Sequence, residues 1–245
     1  MLPDWKTSTI SNFLAISGSL RAHSSNTEVL RACAILAPAS VRIRIFDGLA
    51  DLPHFNPDLD VEGAVLPASV EAFRAEINTA DALLISSPEY AHGVPGTLKN
   101  ALDWLVSAPG MLWKPVALLN VLSRSTHANA SLLETLRTMS TVPIPEAPLE
   151  LSLTRRKASA DEIAADPKIA DRLRVTLDAL LLAAREYRSR SADVAALVPR
   201  SSGSAGATPE PVDREGDSNN AEKSGQGDVP ALECAVSEEN PEDEE

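Results

Sequence analysis

The apolar positions of the chain fall into short runs separated by polar breaks. Phe13-Leu14-Ala15-Ile16 stops at Ser17-Gly18-Ser19, and Ala82–Ile85 and Val116–Leu119 form two further continuous runs. Runs this short, bounded by turn residues, predict strands buried on both faces. Val41, Ile43 and Ile45 alternate with Arg42 and Arg44, which predicts an edge strand with one wet face. Leu149–Leu153 supplies a fifth candidate strand. Between these runs the period lengthens to that of helices. Val29, Leu30, Cys33 and Leu36 share one face, and Val70, Phe73 and Ile77 share another in a helix opened by Pro67. Leu98, Leu102 and Leu105 mark the next helix, and Leu132, Leu133, Leu136 and Met139 the one after. A last helix begins near Pro167, with Ile169, Leu173, Leu177, Leu180 and Leu181 facing inward. The preceding ASADEIAADP reads as a short helical turn or a loop.

Strand and helix therefore alternate five times. This order predicts an α/β chain: a three-layer, doubly wound, five-stranded parallel sheet of order 2-1-3-4-5, flavodoxin-like, over residues 10–190. Residues 1–9 read as a leader and 200–245 as a disordered acidic tail. The tail is rich in Gly, Ser, Pro, Asp and Glu, with almost nothing apolar to offset the entropy of ordering.

Charge reinforces that division. From Ser201 to Glu245 there are thirteen Asp and Glu against two Lys and Arg, so the tail carries nearly all of the net charge of −13. The folded part is close to neutral, which argues against a basic nucleic-acid face. The two cysteines, Cys33 and Cys234, lie far apart, as in a chain kept in a reducing compartment. The first residues lack the basic and apolar regions of a signal peptide, and no apolar stretch approaches the ~20 residues of a membrane span. A cytoplasmic protein with no membrane partner is expected.

In a doubly wound sheet, ligands bind beyond the carboxyl ends of the strands. Three loops end there. The first, SGSLRAHSSNT, offers hydroxyls at Ser19, Ser24, Ser25 and Thr27, a guanidinium at Arg21, and the amides of a helix N-terminus. These groups either hold a phosphate monoester or cap the helix and face solvent. The second, SSPEYAHGVPG, combines Pro88, Glu89, Tyr90, Gly93 and Pro95-Gly96 in a rigid turn. Its backbone N–H groups near Glu89 and Tyr90 could address the polar edge of a planar ring, with Tyr90 as a wall. The third, NVLSRSTHANAS, carries Ser123, Arg124, Ser125 and Thr126, as ligand contacts or as helix caps. Lys99 and Asp103 are spaced as a surface ion pair, and His92 as a solvent-facing loop residue. No nucleophile triad or metal-ligand spacing stands out.

GSLRAHSSN and PEYAHGVPGTLKNALDWL together resemble two motifs of the NADPH-dependent FMN reductase family, G-S-[LI]-R-x-x-S-x-N and P-E-Y-N-x-x-x-P-G-x-L-K-N-A-[IL]-D-W. The resemblance implies FMN as cofactor and NADPH or NADH as electron donor. It places the phosphate on Ser19, Arg21, Ser24, Asn26 and Thr27, and the ring against Pro88, Glu89, Tyr90 and Gly93. Ser123 and Arg124 follow as looser transfers. It implies a reductase passing two electrons, by a ping-pong mechanism, to a quinone, a flavin or a similar small acceptor. A homodimer or homotetramer is implied too, with Asp103 and Trp104 as interface candidates. An FMN-binding electron carrier or redox sensor acting through a protein partner is the alternative. The chain departs from the family at Ala91, where asparagine is usual, at His23, and in lacking the third-loop glycines.

Overall fold

A computed structural model describes residues 10–121, 126–144, 149–150 and 158–197. The expected leader and tail lie outside these residues. Five parallel positions build one sheet in the order β2-β1-β3-β4-β5, as the alternation predicts. They comprise β1 (Ser11–Ser17), β2 (Val41–Phe46), β3 (Ala82–Ser86), β4 (Pro115–Asn120) and β5 (Val142–Pro143), with a sixth segment, β6 (Leu149–Glu150), also paired to β4. The helices are α1 (Ser25–Leu36), α2 (Ala68–Thr79), α3 (Gly96–Asp103), α4 (Thr126–Thr138), α5 (Ala160–Ala165) and α6 (Pro167–Leu197).

Alternate residues of the central strands supply two cores. Phe13, Ala15, Leu84, Ala117 and Leu119 face α1, α5 and α6. Leu14, Ile16, Leu83, Ile85, Val116 and Leu118 face α2, α3 and α4. Both faces are covered, which is why these strands read as unbroken apolar runs. Each fully buried Leu, Ile or Phe contributes about 1.5–3 kcal/mol against leaving it in water. β2 keeps its predicted place at the edge, with Arg42 and Arg44 exposed.

The fifth strand differs from the expectation. It is not one run from Leu149. β4 pairs Pro115 with Val142 and Leu119 with Leu149, so seven steps along this edge face four along β4. Pro143 removes a ladder donor, which is tolerable on an edge. Residues 151–153 of the expected strand lie outside the described residues. ASADEIAADP resolves as α5, started by a capping box in which Ser159 and Glu162 satisfy each other's backbone N–H.

At the amino ends of the strands lies a buried charged cluster. Lys114 is fully buried, and its Nζ donates to the carbonyls of Ile77, at 2.9 Å, and Ala80, the last acceptors of α2. A cation suits a helix C-terminus. The same ammonium lies 4.9 Å from the centre of the Tyr187 ring of α6. Burial pulls the Lys114 pKa down to about 8, against a smaller opposing pull from the Asp81 carboxylate. Asp81, also fully buried, accepts the Asn12 N–H at 2.7 Å and lies 3.6 Å from Nε of Arg188. Burial raises its pKa, and the Asn12 amide, Arg188 and Lys114 oppose that rise. Cys33 is buried and free, its thiol pushed up to about 12 by burial, so it is no nucleophile.

Candidate functional site

β1 delivers its last residues directly into the first loop. Gly18 donates its N–H to the Ser86 carbonyl at 2.8 Å, so the loop leaves the sheet pinned to β3. A Cβ at Gly18 would meet Ser87 Oγ at 2.7 Å and Leu98 Cδ2 at 3.1 Å, so the backbones approach here as only glycine allows. Ser24 caps α1, its Oγ accepting the Asn26 N–H at 3.3 Å. Ser19 is buried, and its Oγ receives the Arg21 N–H at 3.4 Å, while the Arg21 side chain is exposed. Asn26 and Thr27 turn inward. Ser86 Oγ donates to Asn26 Oδ1 at 2.9 Å, and Thr27 Oγ1 shares a 2.9 Å hydrogen bond with Ser17 Oγ. They brace the turn; the Asn26 amide is taken by Ser24, and Thr27 can offer a ligand its amide. The first-turn amides of α1 have no intrahelical acceptor.

The turn from Ser17 to Thr27 contains no carboxylate. The nearest, Glu28, is drawn away: it pairs with Arg31 at 2.5 Å and accepts the Ala160 N–H of α5 at 3.0 Å. Hydroxyls, one guanidinium, a helix N-terminus and no competing anion make a donor set that fits a phosphate monoester.

The second loop is a two-residue hairpin. Tyr90 N–H donates to the Gly93 carbonyl at 3.1 Å, and Gly93 N–H to that of Tyr90 at 2.9 Å. Ala91 and His92 take φ of 47° and 59°, the pair of left-handed residues that defines a type I′ turn. The Tyr90 amide is thus committed within the turn, contrary to the expectation that it faces a ligand. The half-exposed Tyr90 side chain remains available as a wall.

Ala91 pays a steric cost in that backbone region which asparagine largely avoids. Ala91→Asn is therefore expected to stabilise the chain by about 1 kcal/mol, a rise of about 2–4 °C in Tm for a domain of this size. A lower Tm in differential scanning fluorimetry would mean that the type I′ turn is not the conformation held in solution.

Glu89 joins this hairpin to α4. Its Oε2 accepts the Ala128 N–H at 2.8 Å, capping α4 from another loop, and its Oε1 lies 3.1 Å from His92 Nδ1. The Ala128 amide holds the carboxyl pKa below its usual range, with His92 and His127 adding to the effect. The His92 and His127 rings meet edge to face, 4.5 Å between centres. A small crevice opens between Ser87, Asn120 and Ala128. Ser123, Arg124 and Ser125 lie outside the described residues.

The helix that follows the hairpin holds down the chain after β2. Asn100 Nδ2 and Trp104 Nε1 both donate to the Pro53 carbonyl, at 3.0 and 2.8 Å, and Asn100 Oδ1 accepts the Phe55 N–H at 2.8 Å. Trp104 is fully buried within its own chain, which corrects its reading as an interface residue. Asp103 pairs with Lys99 at 2.5 Å, as the spacing predicts. Sequence reasoning missed Ser86, Asn100 and His127. Only Asn100 left a signal, its four-residue spacing from Trp104 on one helical face.

Comparison with known proteins accords with this arrangement. The family model described as NADPH-dependent FMN reductase matches residues 11–152. The chain is 33% identical over 180 residues to an NAD(P)H-dependent FMN reductase of Pseudomonas aeruginosa, covering 71% of this chain and 96% of that one. It is 46% identical over 101 residues to a probable NADPH:quinone oxidoreductase of Oryza sativa, where the match covers 40% of this chain and only 49% of the relative. The chain thus spans about half the length of that relative. Among solved structures, the flavoenzyme FerB, an NAD(P)H:(acceptor) oxidoreductase of Paracoccus denitrificans, superposes with a TM-score of 0.62 at 27% identity, covering 73% of this chain and 99% of that one. A family match over more than half of the chain, and a relative matched almost end to end, converge with the fold and the strand-end loops: the chain belongs to the NADPH-dependent FMN reductase family.

Proposed function

We propose that the protein binds FMN at the carboxyl edge of the sheet and uses NAD(P)H to reduce a quinone or a similar small acceptor. The observation that carries this reading is the carboxylate-free hydroxyl turn at the start of α1, set beside the Tyr90 hairpin at the end of the neighbouring strand β3. Bound FMN supplies the two-electron chemistry between nicotinamide and acceptor; the protein supplies position and electrostatics. Ser19, Arg21, Ser24 and the first-turn amides of α1 hold the phosphate. Pro88, Glu89, Tyr90 and Gly93 form the wall of the ring site; the family resemblance adds Ser123 and Arg124, which lie outside the described residues.

One open face serves both substrates, so the oxidised nicotinamide leaves before the acceptor enters. Steady-state kinetics with NADPH and p-benzoquinone test this order: parallel double-reciprocal lines are expected, and intersecting lines would exclude the shared site. A homo-oligomer is supported by Val106, Leu112, Trp113 and Val142, apolar side chains that stand exposed. The free thiol of Cys33 suits the reducing cytoplasm. Among the described residues no helix is long and apolar enough to cross a membrane.

A further inference from the structure

Three titratable side chains, Glu89, His92 and His127, meet where the hairpin tip touches the first turn of α4, and of these Glu89 also caps the helix. The hairpin is closed by its own backbone bonds between Tyr90 and Gly93. The His92 side chain is 77% exposed, that of Glu89 only 12%. The Ala128 amide fixes Glu89, and Glu89 in turn fixes one nitrogen of His92. With Nδ1 directed at the carboxylate, Nε2 is the nitrogen turned away from it. The His127 ring, edge-on at 4.5 Å, supports the imidazole from α4. Among the described residues no group of His, Cys, Asp and Glu is disposed to hold a metal ion. A backbone amide that orients a carboxylate, which orients an imidazole with one nitrogen free, is an arrangement for transferring a proton.

We propose that His92 is the acid that protonates the acceptor during its reduction, with Glu89 as its positioning residue. The proposal rests on the reductase reading given above. Reducing a quinone to a hydroquinone with NAD(P)H consumes one hydride equivalent and one further proton. The hydride equivalent originates on the nicotinamide, which leaves oxidised. The further proton passes from Nε2–H of the His92 imidazolium to the quinone oxygen as its C=O bond becomes C–O–H, which leaves neutral His92 with its remaining proton on Nδ1, toward Glu89. Solvent then returns a proton to His92.

Two acceptors separate this role from a structural one. p-Benzoquinone needs protons with its electrons; ferricyanide takes electrons alone. His92→Asn suits the test, because asparagine tolerates the φ of 59° and does not carry the proton. In the FMN-loaded protein the ratio of quinone to ferricyanide turnover is expected to fall about 10²-fold, the usual contribution of a general acid. Glu89→Gln should lower the same ratio by less. A second readout needs no turnover: ¹⁵N-imidazole NMR of the flavin-free protein should show neutral His92 as the Nδ1–H tautomer, with that preference lost in Glu89→Gln. Equal losses with both acceptors, or an Nε2–H tautomer in the unaltered protein, would overturn the proposal. If the unaltered protein neither retains FMN nor oxidises NADPH with ferricyanide, the reductase reading fails and takes this one with it. An active protein whose acceptor ratio ignores His92→Asn sinks the proton assignment alone.

Discussion

Ser19→Asp is expected to weaken FMN binding at least about 10²-fold while the protein remains folded. Ser19 is buried in the loop between β1 and α1, where its Oγ already accepts the Arg21 N–H. A carboxylate there can accept the same bond. The local hydrogen bond thus survives the change. A phosphate monoester would meet a fixed negative charge in the same turn. Like charges brought together in a binding site cost several kcal/mol, and each 1.4 kcal/mol is tenfold in Kd. Ser19→Ala serves as the control and should cost about tenfold at most, the value of one neutral hydrogen bond. Titration of the flavin-free protein with FMN, followed by quenching of flavin fluorescence, gives both constants. Equal affinity in the aspartate variant and the unaltered protein would move the phosphate away from this turn.

Lys114→Met is the largest expected effect on stability, a loss of about 3 kcal/mol at pH 7, or about 6–12 °C in Tm. Methionine matches much of the volume. It leaves the Ile77 and Ala80 carbonyls without their donor and Asp81 with one fewer cation in a site that water does not reach. The same lysine sets an unusual pH dependence. Its folded pKa of about 8 lies below the ordinary 10.5, so the folded chain releases this proton first. Between those values the unfolded chain binds more protons than the folded one, and stability rises with pH. The rise is at most about 3 kcal/mol. Tyr187, its pKa raised chiefly by burial, opposes the trend above its ordinary value of 10, so the rise is read between pH 8 and 10. Urea unfolding across that range should show it in the unaltered protein and not in Lys114→Met. A flat profile in both would mean that Lys114 is hydrated in solution.

The strands were legible where a buried sheet imposes a simple rule. Phe13–Ile16, Ala82–Ile85 and Val116–Leu119 must be apolar on both faces because helices cover both, and Val41–Ile45 alternates because it lies at an edge. The fifth position resisted reading because its two paired segments are only two residues each and a proline-rich stretch separates them. The strand-end loops could be located from the order of elements, but the direction of their side chains could not. Asn26 faces inward because Ser86, 60 residues later, occupies the other side of its hydrogen bond. The Tyr90 amide is lost to a hairpin whose sequence, Ala91-His92, lacks the Asn-Gly signal of a type I′ turn. Glu89 and His92 are three residues apart, yet what joins them to His127 is the approach of α4, a tertiary fact. Trp104 was ambiguous in sequence, since a large aromatic serves a core or an interface equally well. The Pro53 carbonyl that receives its indole N–H belongs to a loop with no periodic pattern to announce it.

That last contact bears on how such a protein can diversify. Asn100 and Trp104 grip the Pro53 carbonyl and the Phe55 N–H, which are main-chain atoms. A grip on main chain is indifferent to most side chains of the segment it restrains. His54 and Asn56–Leu59 can therefore vary while the segment stays anchored, provided Leu49 and Leu52 keep filling the core beneath it. The helix behind the hairpin acts as a socket for interchangeable loops. Selection could alter the loop without renegotiating the stability of the sheet, and grafted loops that retain the two buried leucines should preserve the thermal midpoint.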